Sequence, residues 1–245
     1  MNAALLTVGD ELLAGDTANT NATWIGARLA ERGVTVKRVL TVPDETAVIA
    51  EATRRYSDQF DAVIVTGGLG GTPDDITMDG VAAAFDCDLV ENDLARADVE
   101  RHLEAIADKY PDLNIDVSAE AALPEGARPL LNRAGLSPGC VLENVYVLPG
   151  IPSEMERMFE DVAEALDGDV DSRFLYTQEP EANLIERLDE VQERFGVRVG
   201  CYPDREAGHN RLKVSGTDNE SPTGAAARLG ERGALLEQGE TTHGR

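Results

Sequence analysis

The residues best suited to chemistry lie in one short stretch, Val63-Ile64-Val65-Thr66-Gly67-Gly68-Leu69-Gly70-Gly71-Thr72-Pro73-Asp74-Asp75-Ile76-Thr77. An apolar run enters a glycine-rich turn and then meets two adjacent carboxylates. Glycines at such a turn let backbone N–H groups approach a phosphate with no Cβ in the way. The spacing is not that of a Walker loop, because no Gly-Lys-Ser/Thr follows. It is not a dinucleotide fingerprint either, which needs G-x-G-x-x-G. Asp74 and Asp75 supply hard oxygen donors of the kind that hold Mg²⁺ or Mn²⁺ and bridge the ion to phosphate. One of the two is expected to cap the following helix and complement its dipole. The other is then left for a metal or a ligand.

Charge narrows the ligand. From Tyr56 to Ala95 there is no Lys or Arg, while Asp58, Asp61, Asp74, Asp75, Asp79, Asp86, Asp88, Glu91 and Asp93 all fall there. Neutralisation of a phosphate must come from backbone N–H groups, a more distant Arg or a divalent cation. Across the chain 46 Asp and Glu stand against 22 Lys and Arg, a net charge of −24. That balance argues against a nucleic-acid partner, which needs a basic surface or stripe. No apolar run is long enough to span a membrane. The start, MNAALLTVGDELLAG, has neither the basic region nor the cleavage site of a secretory signal, so the cytoplasm is the default compartment and no membrane partner is expected. Lys37, Lys109 and Lys213 are the three lysines and aromatic residues make up 4%. An acidic, lysine-poor chain matches adaptation to molar salt, where self-repulsion is screened. Cys87, Cys140 and Cys201 form no C-x-x-C, and His102, His209 and His243 are isolated. Zinc ribbons, redox dithiols and disulfide frameworks therefore have no support.

The elements that must position the glycine loop follow from hydrophobic periodicity. Ala3–Val8 reads as a buried strand, with a helix from Asn19 to Arg32 capped by Asn19 or Thr20 and ended by Gly33. Val34–Val42 is extended, Glu45–Asp58 is helical, and Ala62–Thr66 is a strand of the kind buried on both faces. A helix follows over Asp75–Phe85. The β-α-β-α-β-α order argues for an α/β fold, a mostly parallel sheet with helices on both faces. Asp93–Lys109 reads as helix, Pro111–Leu136 as loop-rich, Val141–Leu148 as one strand and Pro152–Leu166 as a helix with Pro in its first turn. Composition shifts near Asp167-Gly168-Asp169. A small β-α-β-β-α pattern follows: strand Arg173–Thr177, helix Glu181–Phe195, strands Val197–Tyr202 and Arg211–Ser215, helix Pro222–Leu236. The expected domains are 1–168 and 172–237, with a polar tail over 238–245.

In an open α/β sheet the ligand crevice lies at the carboxyl ends of the strands. Three further groups should reach the same rim: Gly9-Asp10-Glu11 after the first strand, Asp44 after the second, and Pro149-Gly150-Ile151-Pro152-Ser153-Glu154 after the Val141 strand. Each alone reads as turn or cap residues, and their recurrence at successive strand ends suggests a site. Other notable residues have plainer readings. Trp24 reads as core packing, Cys87 and Cys140 as small buried apolar residues, and His209 as exposed loop. Arg187, Arg194, Arg198, Arg205 and Arg211 read as a solvated salt-bridge network, against a phosphate contact across an oligomer interface.

GDELLAG, NTNATWIGARLAERG, TVPDE, VTGGLGGTPDDIT and LPGIPSEM, in this order, resemble the molybdopterin-binding (MoCF-type) domain of the CinA family. That domain is similar in fold to the MoaB, MogA and gephyrin-type molybdopterin proteins. The resemblance covers residues 4–166, and Leu131–Gly139 looks like the family's loop before the penultimate strand. Residues 173–236 look like the KH-like small domain of long CinA proteins. The resemblance implies either binding of molybdopterin or divalent-metal-dependent pyrophosphatase action on ADP-ribose or FAD. It places phosphate against Thr66, Gly67, Gly68, Leu69, Gly70, Gly71 and Thr72. Asp74, Asp75 and Thr77 would lie against metal and pyrophosphate, with Asp75 central, and Gly9, Asp10, Glu11 and Asp44 would line the facing side. Glu11 or Asp44 is the candidate proton acceptor. Pro149, Gly150, Ser153 and Glu154 would close the pocket. Implied cofactors are Mg, Mn or Co and, in the binding reading, molybdopterin. The implied partners are a small nucleotide or pterin ligand and further copies of the chain in a homo-oligomer. Departures are the Asn19-Thr20-Asn21 triplet, which is Asp-Thr-Asn in bacterial members, and Gly71-Thr72-Pro73, which is Gly-Pro-Thr in many relatives. The nicotinamide-nucleotide amidase domain of long members is expected to be missing. A pyrophosphatase, a molybdopterin-binding or adenylating protein, and a regulatory module without turnover all remain open.

Overall fold

The structure, a computed structural model, describes residues 1–231 and 235–236 of the 245. The chain divides into two compact units, Met1–Gly168 and a second beginning at Asp169.

The first unit is built on strands whose side chains are buried on both sides. β1 (Asn2–Val8) lies between β2 (Thr35–Val42) and β3 (Ala62–Gly67), all parallel. Helices α1 (Asp10–Ala14), α2 (Thr20–Glu31) and α3 (Thr46–Gln59) fall between them in sequence. Period-two alternation sends Ala4, Leu6, Val63 and Val65 to one face and Ala3, Leu5, Ala62 and Ile64 to the other. The first face packs on Ile49 and Tyr56 of α3 and on Met78 and Val81 of α4 (Thr77–Ala84). The second packs on Ile25 and Leu29 of α2 and later on Met155 and Phe159. Burying one such Leu or Ile contributes about 2 kcal/mol, so both faces are held and the carboxyl edge is fixed. The expected parallel sheet with helices on both faces is present.

Beyond α4 come β4 (Leu89–Glu91), α5 (Asp93–Ile106), α6 (Val117–Glu120), β5 (Ala122–Pro124) and β6 (Arg128–Leu130). The stretch expected to be loop-rich thus holds a short helix and two short strands. The expected strand Val141–Leu148 is two strands. β7 (Gly139–Leu142) turns back at Glu143-Asn144 into β8 (Val145–Pro149), antiparallel to it, and β8 pairs in parallel with β3. Glu143 takes a φ of 52° at the turn. The Asn144 side-chain amide donates to the carbonyls of Ser57 and Phe60, at 3.0 and 2.9 Å, which anchors the turn. The sheet order is β2-β1-β3-β8-β7-β6. α7 (Pro152–Glu160) is shorter than expected and is followed by a 3-10 turn over Ala163–Ala165.

The second unit contains β9 (Asp171–Thr177), a 3-10 turn Glu181–Asn183, α8 (Ile185–Phe195), β10 (Arg198–Asp204), β11 (His209–Gly216) and α9 (Glu220–Gly230). Its sheet is antiparallel, ordered β10-β11-β9-β12, where β12 is Leu235–Leu236. The last helix therefore ends at Gly230, short of the expected Leu236. The expected tail over 238–245 lies outside the described residues.

Candidate active site

Register brings the strand ends together. Val8 pairs with Val42, Thr7 with Thr66, and Gly67 with Pro149. The turns that follow, at Gly9, Asp44, Gly68 and Gly150, therefore share one rim. They line a cleft of about 440 Å³ with Glu11, Gly67, Leu69, Gly70, Asp74, Asp75, Pro149 and Glu154. Val8, Leu136, Ser137 and Ile151 complete its wall.

The glycine loop is shaped by Asp75. Ideal Cβ atoms on Gly68 and Gly70 would lie 1.9 Å and 2.9 Å from its two carboxylate oxygens, so the loop can wrap the side chain only where Cβ is lacking. Thr72 holds the pair. Its N–H donates to Asp75 Oδ2 at 3.1 Å, and its hydroxyl reaches Asp74 Oδ1 at 2.7 Å and Asp75 Oδ2 at 2.5 Å. The Thr72 hydrogen bond, with a backbone N–H in addition, holds the Asp74 carboxyl below the usual range. Neither aspartate caps α4. The helix begins two residues past Asp75, and Ile76 stands at its cap position without a side-chain bond. The acceptors that would have capped the helix are turned into the loop by Thr72.

On the other side of the rim, Asp44 Oδ2 accepts from the Asp10 N–H at 2.8 Å. Asp10 thus serves through its backbone, and its side chain does not line the cleft. Glu11 folds over Gly9, where a Cβ would meet both of its oxygens at 2.5 Å. Asn19 caps α2, and its amide donates to Thr7 Oγ1 at 2.9 Å and Thr41 Oγ1 at 3.3 Å. Its place is structural. Asn21 donates to the Gly150 carbonyl at 2.7 Å and fixes that turn.

Several expected ligand residues lie elsewhere. Thr66 faces a smaller hollow beside Asn19 and Asn21. Thr77 is buried behind Gly67, and its hydroxyl has no hydrogen-bond partner among the described residues. Gly71, Thr72 and Ser153 do not line the cleft. Trp24 packs edge-on to Phe159 at 5.3 Å, and Cys140 is fully buried beside Met78. Cys87 is half-buried, and His209 sits in β11 against Tyr176 rather than in a loop.

The loop between β6 and β7, noted in the sequence only for its likeness to a family loop, reaches the site through Leu136 and Ser137. Asn132, fully buried, donates through its amide to Glu154 Oε2 at 2.7 Å and the Ser137 carbonyl at 3.0 Å. It accepts from the N–H groups of Ala134 and Gly135. The Ser137 hydroxyl donates to Glu120 Oε2 at 2.9 Å. Burial pushes the Glu120 carboxyl up, against the Ser137 bond and with the help of the Asp75 charge. Both Ser137 and Glu120 lay in stretches whose composition says only loop, and their partners are distant in sequence.

The cleft's ionisable lining is Glu11, Asp44, Asp74, Asp75 and Glu154, with no Lys, Arg or His. Among the described residues no three His, Cys, Asp or Glu side chains converge as a metal cage. The fit to a divalent cation rests on Asp74 and Asp75, whose hard oxygens leave further positions for water and phosphate, the usual arrangement for Mg²⁺.

The fold and this rim define an open α/β unit with a cleft at the carboxyl ends of its parallel strands. Residues 4–168 match the family described as "Probable molybdopterin binding domain", and residues 169–235 match "FAD synthase, middle domain". A protein of Archaeoglobus fulgidus is 34% identical over 222 residues, 90% of this chain and 93% of that one. A CinA-like protein of Frankia casuarinae is 44% identical over 168 residues, which are 65% of this chain and 38% of the Frankia protein. The crystal structure of the protein CinA, of unknown function, from Thermoplasma acidophilum is 35% identical with a TM-score of 0.59, covering 67% of this chain and 97% of that one. The chain belongs to the CinA family, with a first unit of the molybdopterin-binding type. Among the described residues no helix is long and apolar enough to cross a membrane.

Proposed function

We propose that the first unit is a divalent-metal-dependent hydrolase of a nucleotide pyrophosphate, of the ADP-ribose or FAD type. One observation carries this reading: the cleft beside the glycine loop is lined by carboxylates and by no basic side chain. Such a cleft repels a bare pyrophosphate and accepts one that arrives with a cation. Asp75, with Asp74 in support, would hold Mg²⁺, Mn²⁺ or Co²⁺. When bound, the ion neutralises phosphate charge and lowers the pKa of a water. Thr72 favours the ionised form of Asp74 and holds both carboxylates in place by hydrogen bonds. Gly67, Gly68 and Gly70 offer the phosphates backbone without Cβ atoms, with Leu69 between them in the cleft lining. Glu11 or Asp44, from the neighbouring strand ends, accepts the proton of the attacking water, and the Asp10 N–H keeps Asp44 in place. The match of the second unit to a domain of FAD synthase supports a flavin nucleotide among the substrates. The ligand is a small molecule, and the working form is a homo-oligomer.

The test is turnover of ADP-ribose and FAD by the whole chain with each metal, at low and molar salt. Metal-dependent release of the two monophosphates, lost in Asp75→Ala, is the expected result. No turnover with any metal, or full activity in Asp75→Ala, overturns the reading. A second reading rests on the family's description: the same cleft binds molybdopterin. A pterin chromophore that copurifies, held tightly without hydrolysis, would favour it.

A further inference from the structure

The second unit covers one face of its sheet with helices. Leu175, Leu212, Val214, Val199 and Cys201 belong to the core shared with α8 and α9. Alternation puts Phe174, Tyr176, Arg198, Tyr202, Arg211 and Lys213 on the opposite face. Antiparallel register sets them in cross-strand rows, Tyr176–Arg211–Tyr202 and Phe174–Lys213–Gly200. The Arg211 guanidinium lies 5.7 Å from the Phe174 ring and 5.5 Å from the Tyr202 ring. The Lys213 Nζ lies 5.7 Å from Phe174. At one end of this face an open hollow of about 530 Å³ is lined by Tyr176, Tyr202, Arg205 and Arg211, and by Asp204 and Glu206.

Of the five arginines expected to form a salt-bridge network, Arg187 is paired, with Glu179, whereas Arg194 lies against the Phe195 ring and has no ion pair among the described residues. Arg173 and Arg228, which were not part of that expectation, pair with Asp171 and Glu190. Arg198, Arg205, Arg211 and Lys213 have no ion pair among the described residues, although the chain carries a net charge of −24. Burial, then the charges of Arg211 and Arg198, push the Lys213 amine below its usual range. Mutually repelling cations interleaved with aromatic rings suit an anion that brings a flat ring of its own.

We propose that this face is a second ligand site, for a free nucleoside phosphate. The base stacks on Tyr202 or Tyr176, and the phosphate is held by Arg211 and Arg205. Asp204 and Glu206 can accept hydrogen bonds from ribose hydroxyls or a base amine. Size and charge favour a single nucleotide over a strand. The hollow has the volume of a small-molecule site, and a polyanion running beyond it would meet the acidic excess of the chain.

The experiment is calorimetric titration of ADP into the full chain in EDTA, where the rim cleft lacks a cation. Saturable binding of one ADP per chain is expected, and Asp75→Ala should retain it. Arg211→Gln and Tyr202→Ala, both at exposed positions, should each weaken it about tenfold, while Tyr202→Phe, which keeps the ring, should bind as the parent does. The proposal is overturned by three outcomes: no saturable ADP binding, affinity unmoved by Arg211→Gln and Tyr202→Ala, or a short oligoadenylate that binds more tightly than ADP.

Discussion

The Asp75 carboxylate fills the space that a side chain on Gly68 would need: a Cβ on Gly68 would sit 1.9 Å from Asp75 Oδ1 and 3.1 Å from Asp75 Cα. The first contact can be relieved by rotating the carboxylate, whereas the second involves backbone. Gly68→Ala should therefore turn the Asp75 carboxylate out of the loop and shift the turn slightly. A displacement on the order of 1 Å at a reacting centre costs about a hundredfold in rate. The expected outcome is a hundredfold loss of metal-dependent turnover with a melting temperature within a few degrees of the parent, since Gly68 is only half-buried and the loop beyond it, 71–74, is exposed. Parent-like turnover in a folded Gly68→Ala chain would remove Asp75 from the reaction.

Asn132 closes its own loop and ties it to α7 with one side chain: it bonds the Ser137 carbonyl and the Ala134 and Gly135 N–H groups within the loop, and Glu154 of α7. Asn132→Ala deletes those bonds at a buried position and leaves Glu154 without its donor. Losing a bond to a charged group and stranding buried partners costs about 2–3 kcal/mol. Urea unfolding should show that loss. Turnover should survive with a raised KM, because the residue positions the cleft wall and does not line it. A change in kcat alone would count against a positioning role.

Cys140 is fully buried against Met78, and burial pushes its thiol from 9.0 up to about 12. The raised value means that the folded chain keeps the proton when the unfolded chain has lost it. Stability from this group is complete below pH 9 and is lost as pH rises toward 12. Cys140→Ala should remove that dependence, so the stability difference between parent and variant should shrink across this window. The native parent should also leave Cys140 unlabelled by a thiol reagent at pH 8. Rapid labelling there would show that the β7 core opens locally.

The parallel sheet was legible because its strands are buried on both faces and so read as unbroken apolar runs, Ala3–Val8 and Ala62–Thr66 most clearly. The rim was legible because turns after such strands need Gly, Pro or Asp. The β7–β8 hairpin was not. Its apolar residues run almost continuously from Val141 to Leu148, and the turn uses Glu143 at φ 52° where Gly or Asn would have announced it. The turn is anchored instead by bonds of Asn144 to Ser57 and Phe60, partners distant in sequence. Ser137 and Glu120 escaped notice for the same kind of reason, since their place in the site depends on each other and on Asn132. Asp75 was legible as a residue of the rim and misleading as a cap, because Thr72 competes for its carboxylate.

The net charge of −24 is a global property with a local exception, the basic face of the second unit. Exposed ion pairs such as Arg54–Asp86 and Arg28–Glu31 each contribute little. They also cannot balance 46 acids with 22 bases. Self-repulsion of the unpaired carboxylates therefore outweighs what salt removes from the pairs. Raising KCl from 0.1 to 1 M shortens the screening length from about 10 Å to about 3 Å. If that relieves about 2–3 kcal/mol, the melting temperature of a chain this size rises by about 5–10 °C. Thermal melts at the two salt concentrations check it. The cleft should respond in the opposite sense, because screening also weakens attraction between its carboxylates and a cation, so half-saturation with Mn²⁺ should need more metal at 1 M KCl. A melting temperature that stays flat or falls with KCl would mean that the acidic surface is already balanced by water and spacing, and that its excess is no adaptation to salt.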